Sequence, residues 1–459
     1  VSLVTSNANA ELAKVFPGVP EVDVIHRRIL GSRMFILNKP DKLNALNLSM
    51  VRNMTPQLQA WNESDLCKVI IIKGAGNKAF CAGGDVIDVV KLAEQEKTET
   101  TQEGKALRFF EEEYQLNHLI ATLDKPYVAL LNGITMGGGF GLSVHGSFRV
   151  ATENTVFAMP ETAIGLFPDV GGSFFLPRME GEVGTYLALT GKRLCGLDVF
   201  FSGIATHFVP SERLPHLEDR LSELESDDHE VINAAIEDFV EKPEPNYRYA
   251  LGGQIRESID RCFKYDSVDD IIAALDKENS DWALKTKNVL SQMSPTSLKV
   301  TLQELRLGKR MTITDCLQME YGLVNKFLEK SDFKEGVRAR LIGKTDDPQW
   351  NPPSLSEVSD DSIKNFYFKS TKAKILNFLN LKSFENYSYT RFGLPTEEDI
   401  RKLVTGELPD AGAMGMTEEE VIDFFLKENR GKIGTREKVS EVLRRKTVEI
   451  GNRALKWVY

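Results

Sequence analysis

The N-terminal part of the chain carries short, continuous apolar runs that are separated by longer stretches of mixed polarity. The runs predict strands at Val69–Ile72, Tyr127–Leu131 and Phe148–Ala151, and two more short strands within Val22–Leu37. An unbroken apolar run is typical of a strand that is buried on both faces of a parallel sheet. The intervening patterns predict helices at the end of Asp41–Trp61, at Gly104–Leu123 and at Gly141–His145. Strand, loop and helix in alternation predict right-handed βαβ units, and therefore an α/β fold.

The pattern changes near Leu214, beyond which apolar residues recur at helical spacing through Ile342. Three prolines within Asp346–Pro353 then interrupt the periodicity, which indicates a domain boundary. Two later segments, Pro395–Asp399 and Met416–Glu420, place a threonine before acidic residues, as helix starts do. We therefore predict an N-terminal segment at residues 1–21, a core at 22–213, a helical region at 214–353, and a linker with a mainly helical extension at 354–459.

Composition restricts the class of protein further. The 459 residues are 42% hydrophobic, as in globular proteins, and no apolar stretch is long enough to span a bilayer. The five cysteines are scattered and odd in number, which argues against disulfides or a zinc site, so each is predicted to be a small buried residue. The six histidines lack metal-ligand spacing and are predicted to be structural.

Charge is distributed unevenly along the chain. The net charge of −10 disfavours nonspecific nucleic-acid binding by the whole molecule. The last thirty or so residues are basic, however, since three glutamates accompany Arg430, Lys432, Arg436, Lys438, Arg444, Arg445, Lys446, Arg453 and Lys456. One interpretation is an appendage that covers the core or mediates self-association. The other is an arm that docks the protein on RNA or a ribonucleoprotein.

Two glycine-rich loops follow predicted strands. Ala79–Asp85 comes after the strand at Ile70, and Met136–Gly139 comes after the strand at Val128. In a parallel sheet both loops emerge at the same edge, so their backbone N–H groups can converge on one carbonyl oxygen. Such donors polarise a thioester or stabilise an enolate without a metal or cofactor. The alternative is that the glycines only permit tight turns.

Two carboxylates follow the second loop. Glu161 comes after Pro160 among apolar residues, where desolvation would raise its pKa towards the range of a general acid or base. Asp169 lies eight residues later, so that one carboxylate can transfer the proton or attack while the other orients water or substrate. The alternative is that Glu161 and Asp169 are helix caps or surface charges without a catalytic role. The acidic residues Glu111–Glu113 are by the same reasoning predicted to be a solvated helix face. Serine-hydrolase and dinucleotide-binding chemistry are not supported, because Gly-x-Ser-x-Gly and a complete G-x-G-x-x-G are missing from these loops.

At these residues the chain resembles the crotonase superfamily, and within it the 3-hydroxyisobutyryl-CoA hydrolases. The resemblance runs from about residue 22 to about residue 365 and is carried by Phe80–Asp85, Glu112–Tyr114, Lys125–Ala129, Gly133–Gly139, Leu142–Gly146, Ala158–Gly172 and Met293–Leu298. It implies a spiral of ββα repeats at 22–213 that holds the active site, completed by the helical region at 214–353. It also implies hydrolysis of an acyl-CoA thioester in valine degradation, with no cofactor besides the coenzyme A of the substrate.

The same resemblance implies a role for each candidate site residue. The N–H groups of Ala82 and Gly138 would form the oxyanion hole, and Gly138 would thereby also bind substrate. Glu161 would be the principal catalytic carboxylate and Asp169 its partner, while Glu113 would position the acyl hydroxyl or a catalytic water. Hydratase relatives have a second glutamate three residues after the oxyanion glycine, where this chain has Gly141. Alkene hydration is therefore disfavoured.

The extension departs from this resemblance, because standard hydrolases of the family end soon after the position of Pro352 and Pro353. In its length the chain resembles long, plant-type hydrolase-like proteins found in the mitochondrial small ribosomal subunit. That likeness implies a mitochondrial matrix location, and contacts of residues 372–459 with ribosomal RNA and proteins. Free enzyme and ribosomal subunit are not exclusive alternatives, since no residue of the predicted site is lost.

Overall fold

A computed structural model describes residues 22–95, 104–369, 374–408 and 415–458. Its strands are β1 (Val24–Ile29), β2 (Ser32–Leu37), β3 (Val69–Gly74), β4 (Ala79–Cys81), β5 (Tyr127–Leu131), β6 (Ile134–Met136), β7 (Phe148–Ala151), β8 (Val156–Ala158), β9 (Leu194–Cys195), β10 (His207–Phe208), β11 (Thr447–Glu449) and β12 (Leu455–Trp457). The predicted segment at residues 1–21 lies outside the described residues.

Helices surround and follow these strands. The α-helices are Leu48–Glu63, Val86–Gln95, Lys105–Ala121, Gly138–Gly141, Gly172–Phe175, Val183–Thr190, Leu197–Phe201, Leu214–Glu223, His229–Glu237, Gly253–Phe263, Val268–Glu278, Asp281–Leu290, Pro295–Gly308, Ile313–Glu329, Asp332–Val337, Asp360–Ile363, Glu397–Val404, Glu418–Glu428 and Thr435–Lys446. Short 3₁₀ helices lie at Pro40–Lys42, Glu161–Ile164, Leu176–Arg178, Ser211–Arg213, Leu355–Glu357, Thr390–Phe392 and Gly451–Arg453, and π-helical turns at Arg338–Ile342 and Lys364–Phe368.

The larger sheet is buried on both faces, as its unbroken apolar runs predict. Its strand order is β1-β2-β3-β5-β7-β10, and all neighbours are parallel except β1 and β2. In β3, Ile70 and Ile72 pack towards the helices Leu48–Glu63 and Lys105–Ala121, whereas Ile71 packs with Leu217 on the opposite face. The predicted βαβ architecture is thereby confirmed.

A second sheet, in the order β4-β6-β8-β9, positions the two glycine loops. Strands β4 and β6 are parallel neighbours, with Cys81 opposite Thr135, so the loops that follow them lie side by side. Each strand of the larger sheet from β3 to β7 is followed by one of the smaller sheet, which is the repeating arrangement that the resemblance implies. Both loops share one sheet edge, but it is the edge of this smaller sheet and not of the sheet that contains Ile70 and Val128, from which the prediction was made.

Two local predictions were wrong. The helix predicted at Gly141–His145 is instead Gly138–Gly141, because the chain turns into a helix directly after Gly137, whose φ of 44° a side chain would disfavour. Cys195 is exposed at the end of β9, whereas the other four cysteines are buried. Within the described residues, no helix is long and apolar enough to cross a membrane.

The described part of the extension has two sections. A strap, residues 374–394, crosses the core without regular strands or long helices, and places Leu376 and Phe392 among buried core residues. The terminal unit, residues 395–408 and 415–458, forms three helices and the hairpin of β11 and β12. It has a separate apolar core, which includes Leu403, Phe425 and Leu443. The predicted threonine caps are confirmed, since Thr396 and Thr417 each form a capping box.

Candidate active site

Backbone N–H groups and carboxylates meet around the glycine triplet. Gly138 is the first residue of its helix, so its N–H has no partner within that helix. A Cβ added to Gly138 would lie 3.2 Å from the backbone nitrogen of Gly84 and 2.7 Å from Oε1 of Glu113. A Cβ added to Gly137 would lie 2.9 Å from Oε1 of Glu161. The two loops and both glutamates therefore meet around Gly137 and Gly138, where only glycine leaves room.

The structure does not fit one predicted donor. The Ala82 N–H donates a hydrogen bond of 3.0 Å to the Leu43 carbonyl, so it is already used. The N–H of Gly84, two residues later, faces Gly138 and makes no backbone hydrogen bond among the described residues. Gly84 therefore fits the predicted oxyanion donor of this loop better than Ala82 does, because the bridge between Leu46 and Gly84 uses the Gly83 carbonyl and the Asp85 N–H and not the Gly84 N–H.

Three buried carboxylates face this point. Glu113, Glu161 and Asp169 are only 2%, 5% and 5% exposed. Burial, together with the charge of Asp169, raises the pKa of Glu113 and of Glu161 well above its usual range. Burial also raises the pKa of Asp169, to about 6. Among the described residues, Oε1 of Glu113 and Oε2 of Glu161 have no hydrogen-bond partner, which leaves both atoms available to a ligand.

Asp169 sits on a turn that other residues hold in place. The Tyr114 hydroxyl donates a hydrogen bond of 2.7 Å to Oδ2 of Asp169. The next residue, Val170, has a φ of 54°, which is rare for a β-branched side chain. Its carbonyl accepts a hydrogen bond of 2.7 Å from Nε2 of His145.

Glu320 holds the far side of the same turn. Its carboxylate oxygens accept hydrogen bonds from the Gly171 N–H at 2.7 Å, the Ser173 N–H at 3.0 Å and the Ser173 hydroxyl at 2.5 Å. Sequence reasoning did not find Tyr114, His145 or Glu320 as site residues. Tyr114 and His145 lie inside motifs that carry the resemblance, Glu112–Tyr114 and Leu142–Gly146, but no motif contains Glu320, which acts on residues about 150 positions away in sequence.

Gly141 lies where no larger side chain fits. A Cβ at this position would approach Cβ of Val170 to 2.7 Å and Nδ2 of Asn117 to 2.8 Å. Contacts this short require the packed neighbours to move. The space that a second glutamate would need is thus filled by other side chains. Separately, no group of three His, Cys, Asp or Glu residues in the described ranges is arranged to hold a metal ion.

A family model described as Enoyl-CoA hydratase/isomerase matches residues 32–367, which is most of the chain. The chain belongs to this family. Its fold is therefore the crotonase fold, with additional helices at the C-terminal end. A carnitinyl-CoA dehydratase from Mycobacterium thermoresistibile shares it, with a TM-score of 0.70 and 34% identity over 78% of this chain and 99% of that structure.

Two kinds of family member are similar to this chain. The human mitochondrial 3-hydroxyisobutyryl-CoA hydrolase is 49% identical over 74% of this chain and 87% of its own length. The small ribosomal subunit protein mS47 of Neurospora crassa is 45% identical over 99% of this chain and 91% of its own length. The family model ends at residue 367, so the strap and the terminal unit lie beyond it. The ribosomal relative thus differs from the hydrolase in matching nearly all of this chain.

Proposed function

We propose that the protein hydrolyses a 3-hydroxyisobutyryl-CoA-type thioester. The observation that carries the proposal is that the backbone N–H groups of Gly84 and Gly138, which make no backbone hydrogen bond among the described residues, lie next to Glu161 around the glycine triplet. Identity of 49% to a hydrolase of that name supports the acyl group. No cofactor takes part in the proposed reaction, in which coenzyme A enters as part of the substrate.

In the proposed mechanism, the N–H groups of Gly84 and Gly138 bind the thioester oxygen as negative charge develops on it. One such donor contributes about 3–4 kcal/mol to transition-state stabilisation. Glu161 removes a proton from water, the water oxygen bonds to the carbonyl carbon, and the C–S bond breaks as the thiolate takes that proton. Alternatively, Glu161 attacks the carbon directly, and water then hydrolyses the anhydride. Asp169 orients the water, and Glu113 binds the acyl hydroxyl.

The experiment that tests the proposed reaction is a product assay with 3-hydroxyisobutyryl-CoA. Hydrolysis releases coenzyme A, whose free thiol reacts with a disulfide reagent, whereas hydration or isomerisation leaves the thioester intact. We expect stoichiometric thiol release and no hydration of an enoyl-CoA, because the space at Gly141 does not admit a second glutamate. Turnover of the enoyl-CoA without thiol release would contradict the proposal.

Tyr114 should determine the pH at which the Asp169 carboxyl group ionises during catalysis. Its hydrogen bond stabilises the Asp169 carboxylate, whose pKa burial has raised to about 6. Removing the bond in Tyr114→Phe raises that pKa further, so the acidic limb of kcat/KM should move to higher pH by about one unit. A pH profile of kcat/KM measures the shift. Tyr186→Phe, at a buried tyrosine outside the site, serves as the control and should leave the limb in place; equal profiles for all three proteins would contradict the role of Tyr114.

We propose, as a second function, that the protein docks on the mitochondrial small ribosomal subunit. Docking there is consistent with the mitochondrial matrix location that we also propose. The match to the ribosomal relative over 99% of the chain favours it.

Most tail cations, however, are already paired. Arg430, Lys432 and Lys438 pair with Glu230, Glu237 and Glu180 of the core, and Arg436, Arg445 and Lys446 pair within the terminal unit. Among the described residues, Arg444, Arg453 and Lys456 have no ion pair and are exposed, so we assign RNA contact to them.

Co-sedimentation with mitochondrial small subunits tests the docking. Replacing Arg444, Arg453 and Lys456 by glutamine should weaken binding and make it less sensitive to salt, because fewer phosphate contacts release fewer counterions. A matched control replaces three exposed cations of the core, Lys192, Arg193 and Lys277, by glutamine. If both triple variants sediment like the unaltered protein, the tail cations do not bind RNA. If the unaltered protein fails to sediment, the docking proposal itself fails.

A further inference from the structure

The strap reaches the active-site turn through one tyrosine. Tyr387 lies beyond residue 367, where the family model ends. Its ring packs edge-on against Phe174 with the ring centroids 5.0 Å apart, and against Phe384 at 5.4 Å. Its hydroxyl lies 2.7 Å from Nδ1 of His145. The opposite nitrogen of that imidazole, Nε2, lies 2.7 Å from the carbonyl oxygen of Val170, the residue after Asp169.

The chemistry of the partners gives this chain of hydrogen bonds a direction. A carbonyl oxygen can only accept, so Nε2 of His145 must carry the proton that is donated to Val170. Burial lowers the pKa of His145 to about 4, so the imidazole is neutral at pH 7 and its Nδ1 bears a lone pair. That lone pair accepts the hydroxyl proton of Tyr387. The Val170 carbonyl therefore fixes the tautomer, and the hydrogen bond from Tyr387 stabilises that tautomer and holds the imidazole in place.

The turn needs such a restraint. Val170 and Gly171 have φ angles of 54° and 84°, in the left-handed region that a β-branched residue such as valine rarely adopts. A Cβ on Gly171 would lie 2.3 Å from Cε1 of His145, so the imidazole is packed directly against the turn. A strained conformation of this kind persists only where its surroundings determine it. The orientation of the Asp169 carboxylate, one residue earlier, depends on that turn.

We propose that Tyr387 is a positioning residue for the reaction, and that the C-terminal extension thereby completes the active site. It acts through His145 on the turn that carries Asp169. The proposal rests on the proposed thioester hydrolysis. It makes the extension part of the catalytic unit as well as a means of attachment, so any partner that displaces the strap also lowers the rate of hydrolysis.

Tyr387→Phe in the full-length protein tests the proposal, because it removes the hydroxyl and keeps the ring that packs against Phe174. We expect kcat to fall about tenfold, the rate equivalent of one hydrogen bond, with KM unchanged. Tyr389→Phe is the matched control in the same strap. Its hydroxyl bonds to the Leu123 carbonyl at 3.4 Å, away from the turn, so its kcat should be unaffected. The double variant with His145→Gln should be no slower than His145→Gln alone, because both residues act along one chain.

Two further measurements make the outcomes distinct. The ¹⁵N resonance of His145 Nδ1 should shift in Tyr387→Phe, because it loses a hydrogen bond whether or not the protein is turning over substrate. The melting temperature should remain within a degree or two of the unaltered protein. An unchanged kcat, or a fall in kcat matched by release of the strap in limited proteolysis, would overturn the positioning role. Absence of thiol release by the unaltered protein would instead count against the proposed function, and the ¹⁵N shift would still report on the hydrogen bond.

Discussion

Replacing Glu161 by glutamine should abolish turnover and leave the fold and substrate binding almost unchanged. Glutamine has the shape of glutamate, but it can neither accept a proton from water nor attack a carbonyl carbon. Loss of a general base of this kind lowers kcat by about 10²–10⁴-fold. The fold should tolerate the change, since Oε2 of Glu161 makes no hydrogen bond among the described residues and the side chain is only 5% exposed. Removing an ionisable group that is buried without a charge partner does not destabilise the fold.

Single-turnover thiol release and calorimetric binding of a non-hydrolysable acyl-CoA thioether measure the two quantities separately. We expect the rate of thiol release to fall to the extent given above. The dissociation constant of the thioether should change by less than about threefold, because the oxyanion donors are backbone groups and remain in place. Glu111→Gln, at a partly exposed residue of the helix Lys105–Ala121, is the control and should behave like the unaltered protein. Label found on Glu161 after a single turnover in ¹⁸O-labelled water would identify the anhydride route, because only an anhydride that water attacks at the Glu161 carbon leaves the label there. Turnover by Glu161→Gln at the normal rate would refute the assignment.

Replacing Glu397 by glutamine should loosen the attachment of the terminal unit to the core. Its carboxylate binds Arg256 of the core at 3.2 Å and Arg445 of the terminal unit at 2.9 Å. These arginine side chains are only 3% and 1% exposed, so water cannot replace the lost partner. Removing one member of a buried ionic cluster lowers the free energy of unfolding by about 3–5 kcal/mol. Because Asp260 still pairs with Arg256 and Glu441 with Arg445, we expect a loss near the lower value.

The measurement is protease sensitivity of the strap together with the melting temperature. Glu398→Gln is the matched control, because Glu398 is exposed and its ion pairs among the described residues are with Arg401 and Lys402 of its own helix. Acid should have the same effect as the substitution. Burial opposes ionisation of Glu397, but Arg256 and Arg445 outweigh it and depress the pKa to about 2, below its usual value near 4.5. Its stabilising contribution is therefore complete at neutral pH and is lost as the pH falls from about 4.5 to about 2. Equal protease resistance of the two variants would show that the cluster does not hold the terminal unit.

Much of the fold could be predicted from the chain because local pattern and burial agree in the core. Parallel strands that are covered on both faces require unbroken apolar runs, as at Val69–Ile72, and the structure confirms each predicted strand of the large sheet. The hairpin of β11 and β12 was not predicted, since its strands are short and lie next to a strongly basic helix. The domain boundaries stay predictions, as do the catalytic roles, which the experiments above address.

The sequence by itself determined which chemical groups are available and roughly where they lie. Glycine loops after parallel strands must emerge at one sheet edge, and Glu161 and Asp169 follow the second loop closely enough to reach it. Only the tertiary structure decided which of these groups are free. The N–H of Ala82 does not fit the predicted role because it bonds to the Leu43 carbonyl, whereas the N–H of Gly84 makes no backbone hydrogen bond among the described residues and fits that role better. A hydrogen-bond partner comes from wherever the folded chain passes, so no local pattern records it.

The charge of the tail is likewise determined partly by the sequence and partly by the tertiary structure. Its basic composition was evident from the sequence, but the carboxylates that neutralise Lys432 and Lys438 lie 195 and 258 residues away. Folding pairs these cations with the core and leaves others exposed, because desolvated charges are stable only beside opposite charges. Similarly, the link from Tyr387 through His145 to the turn at Asp169 spans 242 residues between its first two members. It exists only because the strap folds back across the core.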